Sequence, residues 1–348
     1  METDKNLEPL VSFCISTFKR GPILQSTLES IKRQTYGNYE VIVSDNDPEG
    51  TGQSFVESLR DERFKYYNNG SNLGMKPSFN KSLERSKGEY IVMMADDDPV
   101  YPHMLETLVN LRNRFPGYGM YMGGCDWFCF DKDVAGLYNL RVGTNSCISN
   151  KHDLNFVREY STAEFIKSLF TFEIFSHFLW STCIVKRDVL TRMGGVPDYG
   201  TPFLGDYAYM SIASTEKGCV VINNSLGCQT LHRENFGRNQ NDQLTVLVRN
   251  FPAYLENKLS YLSNWQEIQK IIRKFFGVWI TGHMAFLYHY YRKNNLPDNN
   301  LSKVEKEIFK IESVRGYKMK YVLKKSMPGL HDFAVKAKKA LLRGKRIS

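Results

Sequence analysis

The chain has 348 residues, 42% hydrophobic and 24% charged, with 25 Gly, 12 Pro and 7 Cys. This average soluble composition excludes a disordered, collagen-like or disulfide-scaffold protein, and the length fits two domains or one large domain with an extension. The net charge of +9 is concentrated at the end, where the basic residues between Lys318 and Arg346 face a single acid, Asp332.

The opening METDKNLEPL has no apolar run of the signal-peptide kind, so a cytoplasmic, reducing location is expected. The cysteines are scattered through strand-like segments and read as buried thiols. Cys125 and Cys129 have ligand-like spacing, but GGCDWFCF alternates like a strand. Four residues of strand span about 13 Å, too far for two sulfurs to share one zinc.

In chain order, LVSFCIST reads as a buried strand, after which Gly21 and Pro22 open a helix carrying Leu24, Leu28 and Ile31 on one face. A strand in YEVIVS, a helix through Phe55, Val56 and Leu59, a strand in FKYYN, a helix with Phe79 and Leu83, and a strand in EYIVMM follow. Strands alternating with helices predict a mostly parallel sheet. From about residue 120 to 235, the runs GMYMGGCDWFCF, FLWSTCIV and GCVVIN read as further strands of the same domain. MGGVPDYGTPFLGDY reads as a loop leading to a helix start at Asp206. Beyond Gln243 the pattern is helical. The expected division is therefore residues 1–242 and 243–348, the first with a nucleotide-binding half at about 8–125 and an acceptor half at 126–242. The uncharged run Phe275–Tyr291 contains His283 and His289 and falls short of the roughly 20 apolar residues of a membrane span.

In an open parallel sheet, ligands sit beyond the carboxyl ends of the strands. Those ends carry Thr17, Lys19 and Arg20, then Asp45, Asn46 and Asp47, then Asp96, Asp97 and Asp98. Three adjacent carboxylates repel one another unless water, a helix N-terminus or a cation offsets them. Mn2+ or Mg2+, held by one or two carboxylates and a substrate diphosphate, suits such a triplet. The alternative is an acidic turn capping the helix at Met104.

Taken in order, ISTFKR, ESIKRQTYGNYEVIVSDND, NLGMKPSFNKSLERSKGEYIVMMADDD and GDY resemble the segments of family 2 glycosyltransferases of the GT-A fold, over about residues 8 to 235. The resemblance implies an α/β, Rossmann-like, mostly parallel sheet flanked by helices, with a helical C-terminal extension. It implies a donor site in which Ser16 and Thr17 lie beside the nucleotide base and Asp45 accepts a hydrogen bond from a uridine-type base. Asn72, Gly74 and Asn80 line the pocket, and Asp96 lies near ribose and phosphate. Asp97 is the implied metal ligand, with Asp98 and His232 beside it, and Arg238 reaches the phosphates from the polar GRNQND run. Asp206 falls where inverting members carry the catalytic base; the alternative is an ordinary helix N-cap. The chain departs from the family at Ser16, Ala95 and Gly205, where Pro, Asp and Glu are usual.

The activity so implied is metal-dependent, inverting transfer of one hexose from a UDP- or dTDP-linked sugar to a glycan or lipid-linked glycan in surface-polysaccharide synthesis. Neither a Gln-x-x-Arg-Trp motif nor flanking membrane helices suggest polymerisation. Two other readings compete. A sugar-nucleotide nucleotidyltransferase needs a Gly-rich basic loop that ISTFKRGP matches poorly, and a silent binding module would not need both Asp97 and Asp206. No nucleic-acid partner is expected, because the basic residues lie in the tail. There Phe333, Ala337 and Leu341 share one helical face, and Lys336, Lys339 and Arg343 lie largely on another. Such a helix suits an anionic surface on the inner face of the plasma membrane; the alternative is a solvated tail.

Overall fold

A computed structural model describes residues 8–138, 140–148, 152–175, 177–232, 241–295, 297 and 300–326. These form two compact units. Residues 8–198 and 204–232 make a sheet unit, and residues 199–203 and 241–326 make a helical one.

The sheet unit opens with β1 (Val11–Thr17), α1 (Gly21–Lys32), β2 (Tyr39–Asp45), α2 (Gln53–Ser58), β3 (Phe64–Asn68), α3 (Met75–Arg85), β4 (Tyr90–Ala95) and α4 (Met104–Arg114), the alternation expected. It continues through β5 (Met120–Cys129), α5 (Lys132–Tyr138), β6 (Gly143–Asn145), β7 (Val157–Tyr160), α6 (Thr162–Thr171), a 3-10 turn at Trp180–Thr182, β8 (Cys183–Lys186), α7 (Arg187–Met193), α8 (Gly205–Ala213) and β9 (Cys219–Leu231). Among the described residues the strands form one sheet in the order β3-β2-β1-β4-β8-β5-β9-β7, with β6 paired to β5. Strands β1 to β5 and β9 point one way, and the short β6, β7 and β8 oppose them.

All seven residues of β2 are buried, the pattern of a strand covered on both faces. Phe13, Ile15, Val41, Val43, Val92 and Met94 pack on Leu24, Leu28 and Ile31 of α1 and on Met104, Leu105 and Leu108 of α4. Each such side chain contributes about 1.5–3 kcal/mol by leaving water. The β5·β9 ladder slips at Gly123 and Gly124, and a Cβ at Gly123 would lie 2.5 Å from the Leu226 side chain. Helix α6 starts with a reciprocal cap, in which the Ser161 side chain accepts the Glu164 amide and the Glu164 side chain accepts the Ser161 amide.

Three sequence expectations change. FLWSTCIV is strand only from Cys183 onward, because Trp180–Thr182 coils into a 3-10 turn. GCVVIN is the start of a strand that runs to Leu231. Strands β6 and β7 were not anticipated, since three and four residues are too few to show a period. All seven cysteines are free and buried.

In the helical unit, α9 (Asn241–Leu259) and α10 (Trp265–Lys293) meet through stacked Phe251 and Phe276 rings 5.5 Å apart. Helices α11 (Leu301–Ile308), α12 (Glu312–Arg315) and α13 (Lys318–Ser326) follow. The buried Tyr321 of α13 stacks on Phe309 and donates to Glu305 at 2.7 Å. Among the described residues no helix is long and apolar enough to cross a membrane. The tail face of Phe333, Ala337 and Leu341 lies outside the described residues.

Candidate active site

Parallel register brings the strand ends level. Thr17 of β1 pairs with Asp45 of β2, and Ser16 pairs with Ala95, the residue before the acidic triplet. The triplet turn is held from several sides. Thr27 donates to the Asp96 carbonyl at 2.9 Å, the Val100 amide donates to Ser30 at 3.0 Å, and the Cys228 amide donates to the Pro99 carbonyl at 2.9 Å.

Each carboxylate has its own partners. Asp96 accepts from the Thr17 hydroxyl at 2.7 Å and from Arg20 at 3.1 Å. Asp97 accepts from Arg20 at 3.0 Å, and its Oδ2 lies 3.1 Å from Nε2 of His232. Asp98 accepts from Ser181 at 3.3 Å. Helix α4 is preceded by His103 and has no side-chain cap, so the triplet does not act as its capping turn.

Asp206 is the second residue of α8, not its N-cap, and its Oδ1 accepts the Trp180 amide at 3.3 Å. The N-cap is Leu204, whose left-handed backbone at φ 60° costs a branched residue about 1–2 kcal/mol. Trp180 is wedged between Phe79 and Tyr209. The 3-10 turn thus presents consecutive residues to two acids: the amide of Trp180 to Asp206 and the hydroxyl of Ser181 to Asp98.

Four acids act on one another here: Asp97 lies against Asp96 and Asp98, Asp206 acts on Asp98, and Arg20 reaches only Asp96 and Asp97 among the contacts given above. Burial, and then the charge of Asp97, push the Asp96 carboxyl up to about 6 against the pull of Arg20 and Thr17. Burial and the charges of Asp97 and Asp206 push Asp98 well above the carboxylate range. Burial raises Asp206 to about 6, opposed by backbone N–H groups. Among the described residues no three His, Cys, Asp or Glu side chains converge to hold a metal. The expected trio of Asp97, Asp98 and His232 is therefore not assembled as a three-ligand site; the strand end offers one or two carboxylates, the number a hard divalent ion takes when a substrate diphosphate fills its other positions.

The other expected donor residues divide in two. Ser16 and Thr17 end β1, an interior strand, where the Thr17 hydroxyl is taken by Asp96; a groove of about 280 Å³ is lined by Lys19, Gly21, Pro22, Asp47, Glu49, Thr51 and Phe55, none of them an expected donor residue. Asp45, only 1% exposed, is turned into its own loop. It accepts from the Asp47 amide at 2.8 Å, the Gly52 amide at 3.2 Å and the Tyr66 hydroxyl at 2.8 Å. Asn72 closes the turn before α3 by accepting the Gly74 amide at 2.9 Å, and Asn46 donates to the Gly74 carbonyl at 3.0 Å. Asn80 accepts the Val196 amide at 3.0 Å and so pins the loop that leads toward α8. Arg238, with neighbouring Arg233, lies outside the described residues.

The Asn80 pin leaves no room. Gly195 has φ 82°, and a Cβ there would lie 2.3 Å from Asn80 Oδ1. Gly195→Ala is expected to lower stability by about 1–3 kcal/mol, read as a lower urea midpoint at unchanged slope. An unchanged midpoint would show that the loop gives way freely.

Arg20, Trp180 and Ser181 complete the site and were not among the expected site residues. For Arg20 the signal was present, because it ends the ISTFKR segment on which the resemblance rests. Nothing in FLWSTCIV announced the other two.

The model of the glycosyl transferase family 2 matches residues 12–190, from β1 through β8. The GalNAc(5)-diNAcBac-PP-undecaprenol beta-1,3-glucosyltransferase of Campylobacter jejuni is 30% identical over 183 residues, 51% of this chain and 54% of that protein. The putative colanic acid biosynthesis glycosyl transferase WcaA of Escherichia coli is 31% identical over 123 residues, 35% of this chain and 44% of that protein. The chain thus spans about half the length of these curated relatives. Among solved structures, S. aureus TarS 1-349 in complex with UDP-GlcNAc superposes with TM-score 0.58 at 13% identity, covering 90% of this chain and 88% of that one. Mannosyltransferase PcManGT from Pyrobaculum calidifontis, in complex with GDP-Man and Mn2+, gives 0.53 at 15% identity, covering 92% and 88%. At such identity these likenesses show the fold, GT-A with a helical C-terminal region. Because the family match takes in half the chain and the strand ends that carry Thr17, Asp45 and the acidic triplet, the chain belongs to glycosyl transferase family 2.

Proposed function

We propose that the protein moves one sugar from a nucleotide-sugar donor, UDP- or dTDP-linked, to a hydroxyl of a glycan or lipid-linked glycan, with inversion at the anomeric carbon. The observation that carries this reading is the pairing of Asp206 with the acidic triplet through Trp180 and Ser181. Asp206 takes the proton of the acceptor hydroxyl as that oxygen attacks the anomeric carbon. The bond from that carbon to the diphosphate breaks on the opposite face, and the electron pair leaves with the nucleotide. Thr17 and Arg20 hold Asp96 and Asp97 in fixed orientations, so little reorganisation is needed when charge moves to the leaving group. Asp97 and Asp98, with His232 beside Asp97, would hold a divalent ion, Mn2+ or Mg2+, together with the donor diphosphate, and that ion would offer Lewis-acid stabilisation of the charge on the leaving group. The undecaprenol-linked substrate of the Campylobacter relative supports a lipid-linked acceptor, the TarS complex with UDP-GlcNAc supports a UDP-sugar donor, and the PcManGT complex with GDP-Man and Mn2+ supports a metal. A lipid-linked acceptor also gives the basic tail a role, at an anionic membrane surface on the cytoplasmic side.

A thermal-shift panel of UDP-, dTDP- and GDP-glucose, each with and without Mn2+, tests the donor site. A ligand at 100 times its dissociation constant adds about 2.7 kcal/mol to the folded state. One nucleotide should therefore stand out, and only with the metal. No shift with any of them would sink the reading.

A further inference from the structure

We propose that Phe128 and Phe130 form an aromatic platform that holds a pyranose ring of the acceptor glycan, an inference that rests on the glycosyl-transfer reading given above. Both lie where β5 finishes, at the same end of the parallel strands as the acidic triplet. Side chains alternate along a strand, and residues paired across a ladder share a face. Phe128 pairs with Thr230 of β9 and with Thr144 of β6, so Phe128 and Phe130 share a face with Thr230 and His232. Trp127, Cys129 and Leu231 take the opposite face, where they pack with Val134 and Ala135 of α5. The core-facing set is complete without the two phenylalanines, which are 37% and 57% exposed.

One side chain joins this open face to the candidate active site. The Phe130 ring and the His232 imidazole are parallel to within 9°, with centroids 6.4 Å apart, and the Phe128 ring lies 6.3 Å from Phe130. His232 is buried, and its Nε2 lies 3.1 Å from Asp97 Oδ2. The imidazole thus turns its flat face to the exposed rings and its rim to the acid. Two large rings left in water forgo the stabilisation that burial would give them, and a ligand that covers them recovers it. The ring faces are electron-rich and attract the positively polarised C–H bonds of a sugar, while the exposed Thr144 beside Phe128 offers a hydroxyl. Strand order decides which sugar. β1 and β2 lie on one side of β4, and β5 and β9 lie on the other. With the donor nucleotide at the ends of β1 and β2 and its diphosphate at Asp97, the far side is left to the acceptor.

Phe130→Leu removes a ring face and keeps an apolar side chain, Phe130→Trp keeps a ring, and the double variant with Phe128→Leu removes both rings. In the full chain, saturation-transfer NMR follows methyl β-glycosides of glucose, galactose and N-acetylgalactosamine. Calorimetry with Mn2+ compares UDP-, dTDP- and GDP-glucose with UDP, dTDP and GDP. At least one glycoside should bind the wild type, about tenfold more weakly Phe130→Leu, more weakly still the double variant, and undiminished Phe130→Trp. Nucleotide-sugar affinity and the thermal midpoint should stay at wild-type values. No glycoside bound by the wild type, or equal binding by the double variant, would overturn the proposal. So would a nucleotide-glucose affinity that falls while that of the free nucleotide holds, since the rings would then serve the donor sugar. A lower thermal midpoint in Phe130→Leu would also defeat it, by showing that the chain's own residues cover the ring. Glycoside binding that follows the rings in a protein that binds none of the six nucleotides would keep the sugar platform and overturn the donor site instead.

Discussion

Asp206→Asn is expected to lower kcat by about 10³-fold while leaving Mn2+-dependent donor binding intact, because a general base contributes roughly 10²–10⁴ to the rate and takes no part in holding the diphosphate. The same carboxyl sets the pH profile of the wild type. Burial puts it at about 6, so below that pH it is protonated and lost as a base, and kcat/KM should fall about tenfold per pH unit there. Stability should move the other way. The folded protein holds this proton more tightly than the unfolded chain, where an aspartate titrates near 3.9. The penalty of burying the charge therefore develops as pH rises from about 4 to about 6 and is complete above that. Removing the charge at pH 7.5 should raise stability by on the order of 1 kcal/mol, allowing for the water that still reaches this half-buried side chain. A variant with lower kcat and a higher melting temperature would mark a site whose strain serves function. Full activity in Asp206→Asn, or a flat profile between pH 5 and 7, would remove Asp206 from the mechanism.

Asp97→Ala should abolish the Mn2+-dependent part of donor binding, weakening nucleotide-sugar affinity by about 10²-fold or more, as loss of a metal-held diphosphate contact requires. Asp97 is where Arg20 and His232 converge, at 3.0 and 3.1 Å, so its loss removes the acid that orders the guanidinium and the imidazole. Unfolding is not the expected cause of the effect. The charge of Asp97 raises the proton affinity of both Asp96 and Asp98, so its removal relieves repulsion within a buried cluster. Calorimetric titration of the nucleotide sugar with and without Mn2+ reads the difference directly. Equal metal dependence in wild type and variant would place the metal elsewhere.

The fold was legible where burial alone decides. Strands β1 to β4 are apolar runs punctuated by Gly, Pro and polar clusters, and the helices between them carry apolar residues at intervals of three and four. The acidic triplet was legible for the same reason, since three charges at the end of a buried run have no packing role. What stayed hidden depends on partners far apart in sequence. Arg20 gains its role only when β1 lies beside β4, and Ser181 and Trp180 gain theirs only when the chain before β8 coils into a turn instead of extending. The partners of Asp45 were hidden in the same way, since Gly52 and Tyr66, seven and 21 residues away, both donate to its carboxylate. Nor does the sequence reveal that Tyr199–Phe203, in the middle of a loop before α8, packs with helices that begin 40 residues later.

The buried thiols give the protein an internal record of its own breathing. Burial raises Cys14 and Cys228 to about 12 and lifts Cys125, Cys183 and Cys219 as well. An alkylating reagent can therefore reach them only through an opening that admits water. They are spread over β1, β5, β8, β9 and the loop after β6, all in the sheet unit. The order in which the seven are modified would rank which strands part first. Loss of the helical unit, which has no cysteine of its own, would enter that record only through what it does to the sheet.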